Sequence, residues 1–155
     1  DAVLIRTEYY FPSTSPANNK VVGDFVSWVT FGEPGLLNNY SSMAVLKDNE
    51  LIAGILFQEY YAGSGVIELS AASTSKTWMT KKVVRDMFSM PFDCLGSHLV
   101  IVKTAEDNMP VRNISKRCGL TEHYIPDLRG PGRGEYTYTM SKELWNSLPY
   151  SKGAK

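Results

Sequence analysis

His98-Leu99-Val100-Ile101-Val102-Lys103 is a short, nearly continuous apolar run; Thr104-Ala105-Glu106-Asp107-Asn108 follows, and then residues 109–122, MPVRNISKRCGLTE. An unbroken apolar run of this length, with β-branched residues, reads as a strand covered on both faces. Asp107 or Asn108 caps the helix that follows, with Pro110 in its first turn. Val111, Ile114 and Cys118 supply its buried stripe, and Gly119 a left-handed stop. Strand, turn, short helix and glycine stop in this order fix an α/β arrangement.

The flanks extend the reading. Downstream, residues 122–126 and 135–140 form a hairpin around the Gly/Pro/Arg loop of residues 129–134; Tyr136, Tyr138 and Met140 alternate with Glu135, Thr137 and Thr139. Leu144-Trp145 closes the core, and residues 146–155 read as a flexible tail. Upstream, Met79, Val83, Val84, Met87 and Phe88 stand at helical spacing up to Met90-Pro91. Before them, residues 43–47, 51–61 and 66–72 read as three strands of an antiparallel meander. Ala2 to Tyr10 reads as a strand. Ser15-Pro16 opens an amphipathic helix carrying Val21, Val22, Phe25, Val26, Trp28 and Val29. Residues 35–42 are a short helix or a loop. The expectation is one mixed α/β (α+β) domain over residues 1–145.

This order resembles the GNAT superfamily of acyl-CoA-dependent N-acyltransferases. The most specific match runs from Asn108 through Ile114-Ser115-Lys116-Arg117-Cys118-Gly119-Leu120-Thr121-Glu122, which is similar to the family's N…L-Y-E-K-x-G-F-x-E block. Residues 135–145 resemble the last strand of ribosomal-protein N-terminal acetyltransferase relatives. Trp78 to Phe92 with Leu95-Gly96 resembles small bacteriophage-encoded members. The resemblance implies a central, mostly antiparallel sheet with helices on both faces and two splayed parallel strands in the middle, residues 66–72 and 98–103. It implies acetyl-CoA as cosubstrate, its pantetheine along Leu69, Ser70 and Ala71 and its pyrophosphate at the next helix start. Unpaired N–H groups and the helix dipole favour anions there.

The family's Arg/Gln-x-x-Gly-x-Gly/Ala loop falls on Ser75-Lys76-Thr77-Trp78-Met79-Thr80, which has no glycine. Hydroxyls and the cations Lys76, Lys81, Lys82 and Arg85 stand in, with Arg112, Lys116 and Arg117 on the later helix. Such runs also occur as plain solvated helix faces. Trp78 reads as a core or staple residue or as a cofactor stacker. The expected cofactor set is Leu69, Ser70, Ala71, Ser75, Lys76, Trp78, Thr80, Lys81, Asn108 and Arg112.

Acyl transfer to an amine needs a base for the ammonium and a proton for the thiolate leaving group. The resemblance places the base at Glu68, whose apolar neighbours Val66, Ile67 and Leu69 favour a desolvated carboxyl; the bland alternative is a strand-paired surface glutamate. The family's tyrosine acid falls on Ser115, a poor acid that at best positions a water. Tyr124, Tyr136 and Tyr138 are the alternatives, and His123 a further candidate base.

Composition bounds the partners. Sixteen Lys+Arg balance sixteen Asp+Glu, so bulk attraction to nucleic acid or a membrane surface is not expected. Two separated cysteines and two histidines exclude a disulfide framework, a four-thiolate zinc site and a His-rich metal centre. Without an apolar run near 18 residues or the order of a signal peptide at residues 1–6, a cytoplasmic protein is expected. The leading function is N-acetyl transfer to a primary amine of a small molecule or protein, by direct transfer in a ternary complex. The alternative is a catalytically degenerate GNAT-fold binding or inhibitor module. A weaker third is acylation of modified nucleic-acid bases. The resemblance also admits a strand-edge homodimer.

Overall fold

The computed structural model describes residues 4–152. Its elements are β1 (Ile5–Tyr10), α1 (Pro16–Phe31), β2 (Ser41–Lys47), β3 (Glu50–Glu59), β4 (Val66–Ser73), α2 (Lys81–Ser89), β5 (Leu99–Ala105), α3 (Met109–Arg117), β6 (Thr121–Ile125), β7 (Glu135–Ser141) and α4 (Lys142–Ser147). Seven strands form one sheet in the order β1-β2-β3-β4-β5-β7-β6. Every neighbouring pair is antiparallel except β4 and β5. This is the expected architecture. The part of the expected first strand on residues 1–3 lies outside the described residues.

Side chains alternate between the faces of a strand, and the two cores divide accordingly. On one face, hereafter face A, Val22 and Val26 of α1 bury against Ala44, Leu56 and Ala72. The fit needs Gly54: a Cβ there would stand 2.9 Å from both Val22 Cγ1 and Val26 Cγ2. On face B, Val83, Met87 and Phe88 of α2 pack with Met43, Ile55, Phe57, Leu69, Val100 and Met140. Trp145 of α4, 1% exposed, fills the space beside Phe88 and Phe92. Helix α1 covers β2, β3 and β4.

Several expectations shift in detail. Residues 35–40 form no helix and run as an irregular connection into β2. A π-helical turn, Met90–Cys94, extends α2 past Pro91, with Leu95 N–H donating to Met90 O. The chain beyond residue 145 is folded as far as it is described: α4 continues to Ser147, and Pro149–Lys152 make a 3-10 turn. Tyr150 packs on Trp145 and its hydroxyl donates to Cys118 O. The outward stripe of α1 is apolar too, with Val21 and Trp28 exposed.

Candidate functional site

Strands β4 and β5 pair over Val66↔Leu99, Ile67↔Val100 and Glu68↔Ile101 and then part. Past that rung β4 keeps β3 as its partner to Ser73, and β5 keeps β7 to Ala105. Their facing edges separate into a V. An apolar cleft of about 520 Å3 occupies it, continuing between α2 and α3. Leu69 and Val102 line it from the strands, Met87 and Phe88 from α2, Ile114 and Ser115 from α3.

Both helices present their N-termini with built caps. Thr80 Oγ1 accepts from Val83 N–H at 3.2 Å, and Asn108 Oδ1 from Val111 N–H at 3.4 Å. The N–H groups of Lys81 and Lys82, in the first turn of α2, have no intrahelical acceptor in reach. The preceding loop differs. Ser73 Oγ accepts from Ser75 N–H at 2.9 Å, and Ser75 Oγ from Thr77 N–H at 3.2 Å. Hydroxyls thus occupy N–H groups that a glycine loop leaves for a ligand. Helix α3 ends as its sequence predicts. Gly119 has φ of +90°; Leu120 N–H bonds Ser115 O and Gly119 N–H bonds Lys116 O, a Schellman closure.

Of the expected cofactor residues, Leu69, Ala71, Ser75, Lys76 and Trp78 line the cleft. Trp78 is 6% exposed, so packing and lining coincide in one side chain. Ser70 alternates onto face A with Glu68. Thr80 and Asn108 serve as caps, and Lys81 stands in the first turn of α2 outside the lining. Arg112 is turned away. Its guanidinium lies 3.9 Å over the Tyr136 ring, and Nη1 donates to Glu106 O at 2.7 Å. The cation on the α3 side of the cleft is Arg117, with Asn113 beside it. The helical period carries the signal: Asn113, Ile114, Arg117 and Cys118 share a face that excludes Arg112 and Lys116.

Ser115 is 5% exposed and lines the cleft. The tyrosine alternatives do not line it. Tyr138 donates to Glu122 Oε2 at 2.8 Å, Tyr124 to Glu106 Oε2 at 2.9 Å, and Tyr136 lies under Arg112. Burial, and then the Glu122 bond, push the Tyr138 hydroxyl above the usual range. Cys118 is buried at the cleft wall, and burial pushes its thiol up to about 11. It is a packing residue rather than a nucleophile.

Glu68 points from the last β4–β5 rung onto face A, opposite the helices that enclose the cleft. Lys103 Nζ is 3.5 Å from its Oε1 and 5.3 Å from the Tyr60 ring centroid. Composition and spacing do not single out Lys103; the β4–β5 register does. His123 shares this face, 3.0 Å from Thr139 Oγ1. Among the described residues, no group of three or more His, Cys, Asp or Glu is gathered to hold a metal, and no helix is long and apolar enough to cross a membrane.

Neither a protein-family model nor a curated protein matches this chain. Solved structures do match in fold. A probable acetyltransferase is 18% identical, with TM-score 0.58, over 69% of this chain and 64% of that one. A GNAT-family acetyltransferase from Bacillus anthracis is 17% identical, with TM-score 0.58, over 66% of each chain. Mutant forms of the spermidine/spermine N-acetyltransferase SpeG from Vibrio cholerae are 11% identical, with TM-score 0.67, over 92% of this chain and 98% of that one. The match thus spans just under two thirds of the first two relatives and nearly the whole of the third. At these identities the likeness is one of fold: the chain has the GNAT acetyltransferase fold.

Proposed function

We propose that this chain is an acetyl-CoA-dependent N-acetyltransferase acting on a primary amine by direct transfer in a ternary complex. The observation that carries the reading is the parting of β4 and β5 at Glu68↔Ile101, with an apolar cleft below it. An open strand edge on β4, apolar walls and a helix N-terminus match the amide-bearing pantetheine arm and the phosphates of acetyl-CoA. Lys76 and Arg117 line the cleft and offer charge to the phosphates. Leu69 and Ala71 offer backbone to the arm.

When bound, the thioester supplies an acyl carbon that an uncharged amine attacks. Glu68, at the apex of the V, accepts the ammonium proton directly or through one water. The new C–N bond forms as the C–S bond breaks, and the sulfur leaves as thiolate. The second proton, lost by the nitrogen as the amide forms, passes through a water near Ser115 to that thiolate. Lys103 Nζ, 3.5 Å from Oε1, holds the Glu68 carboxylate in place at that edge.

The serine hydroxyls on the loop N–H groups favour one second reading, a GNAT-fold binding module that does not use acetyl-CoA. Coenzyme A release from acetyl-CoA with a mixture of amines separates the two. Amine-dependent release supports transfer. Its absence, together with absence of acetyl-CoA binding, leaves the binding module.

A further inference from the structure

The cleft between α2 and α3 has two zones. At its mouth Ala71, Lys76, Asn113 and Arg117 are exposed. Deeper in, Leu69, Met87, Phe88, Ser115, Cys118 and Leu120 line it while being buried themselves. Side chains that are closed to solvent and still border the cleft enclose a recess, not an open groove.

The acetyl-transfer reading sets the acyl carbon at the β4–β5 apex and the sulfur near Ser115. The lining continues past that point. By the helical rise, Cys118 lies about 4–5 Å farther along α3 than Ser115, and Leu120 lies beyond the end of that helix. From the other side Met87 and Phe88 reach in, about two turns below the Thr80 cap of α2. These four walls, Met87, Phe88, Cys118 and Leu120, offer no charge, amide or hydroxyl. A water among them lacks the polar partners that hold one, so the room favours an apolar group. Acetyl puts a single methyl past the carbonyl, too little to meet walls contributed by both helices. A butyryl group puts a propyl chain there and covers them.

We infer that this recess is an acyl-chain pocket, and that the preferred donor is an acyl-CoA whose short, unbranched chain is longer than acetyl and of butyryl size. The inference rests on the acetyl-transfer reading and changes the group carried. The amine nitrogen bonds to the butyryl carbonyl carbon as the C–S bond breaks. One proton of the ammonium goes to Glu68 and a second to the thiolate, and a butanamide and coenzyme A leave. Acetyl-CoA is the weaker donor at the same site.

Isothermal titration of coenzyme A, acetyl-CoA and butyryl-CoA, without amine, reads the recess directly. Each buried methylene is worth about fourfold in affinity, so butyryl-CoA should bind at least about tenfold more tightly than acetyl-CoA. Coenzyme A release with a mixture of amines should show the same order in kcat/KM. Cys118→Leu fills part of the recess and should lower the affinity ratio by about fourfold, the worth of one methylene. A thermal melt shows whether that variant is folded, and the wild-type ratio is decisive in either case. Butyryl-CoA bound no better than acetyl-CoA, or a ratio unmoved in folded Cys118→Leu, overturns the inference. Equal binding of all three leaves coenzyme A recognition standing and removes the acyl pocket. The tenfold order in binding without release by any amine upholds the pocket while the transfer reading falls. No binding of any of the three overturns both.

Discussion

Glu68 stands opposite Ile101 on the last rung joining β4 to β5, and past it each strand bonds only to its outer neighbour. That rung fixes two things together. It opens the cleft on face B, and it sets a carboxylate on face A at the point where the cleft meets the sheet.

Glu68→Gln keeps the size of the side chain and removes the base. If Glu68 accepts the amine proton, kcat falls by about 100-fold, within the usual range for a general base. Acetyl-CoA affinity changes little, because Glu68 does not line the cleft. Steady-state rates and calorimetry check the pair. An unchanged kcat removes Glu68 from the chemistry.

Arg112 and Arg117 separate by function. Arg117→Ala, and likewise Lys76→Ala, should weaken acetyl-CoA binding by about fivefold, or about 1 kcal/mol for an exposed charge–phosphate contact. Arg112→Ala should leave that affinity alone and lower the melting temperature, through loss of the stack on Tyr136 and the bond to Glu106 O. Thermal melts and titrations of the variants decide between the roles.

Stability should fall in alkali. The Cys118 thiol is raised by burial from 9.0 to about 11, and the Tyr150 hydroxyl, which donates to Cys118 O, is raised by burial from 10.0 to about 12. Above pH 9 the unfolded chain loses these protons before the folded one does, so it binds fewer. The stabilisation is therefore complete below pH 9 and lost as pH rises toward 12. The thiol alone accounts for a loss on the order of 2 kcal/mol. Melting temperatures across that window check the sign. At pH 8, iodoacetamide should modify exposed Cys94 and spare Cys118.

Gly54→Ala should cost about 1–3 kcal/mol, the usual cost of overpacking a filled site. Its Cβ meets Val22 and Val26 on α1, so the helix must shift. Denaturant unfolding measures the loss.

The fold was legible because its determinants are local. The apolar run 98–103 announced β5, Asn108 and Gly119 bracketed α3, and the alternation in 135–140 set β7. The turn over Pro149–Lys152 is not written in any local pattern, because Tyr150 is held by long-range packing on Trp145. Of the β4 residues that the resemblance pointed to, Leu69 and Ala71 line the cleft and Ser70 does not. The site was less legible on α3, where counting cations placed Arg112 in the cleft. Five residues, about 140° around the helix, separate them: Arg112 faces the β7 tyrosines and Arg117 the cleft. Lys103 went unremarked because its partner across the V is distant in sequence and close only in register.

Isothermal titration of acetyl-CoA into the wild-type chain and into Ala71→Trp decides whether the V between β4 and β5 holds acetyl-CoA. Ala71 lines the cleft from an exposed position on β4, so the indole fills the V without disturbing the core. One-to-one binding by the wild type and none by the variant is the expected result. No binding by the wild type up to millimolar acetyl-CoA, or equal binding by both, would contradict it.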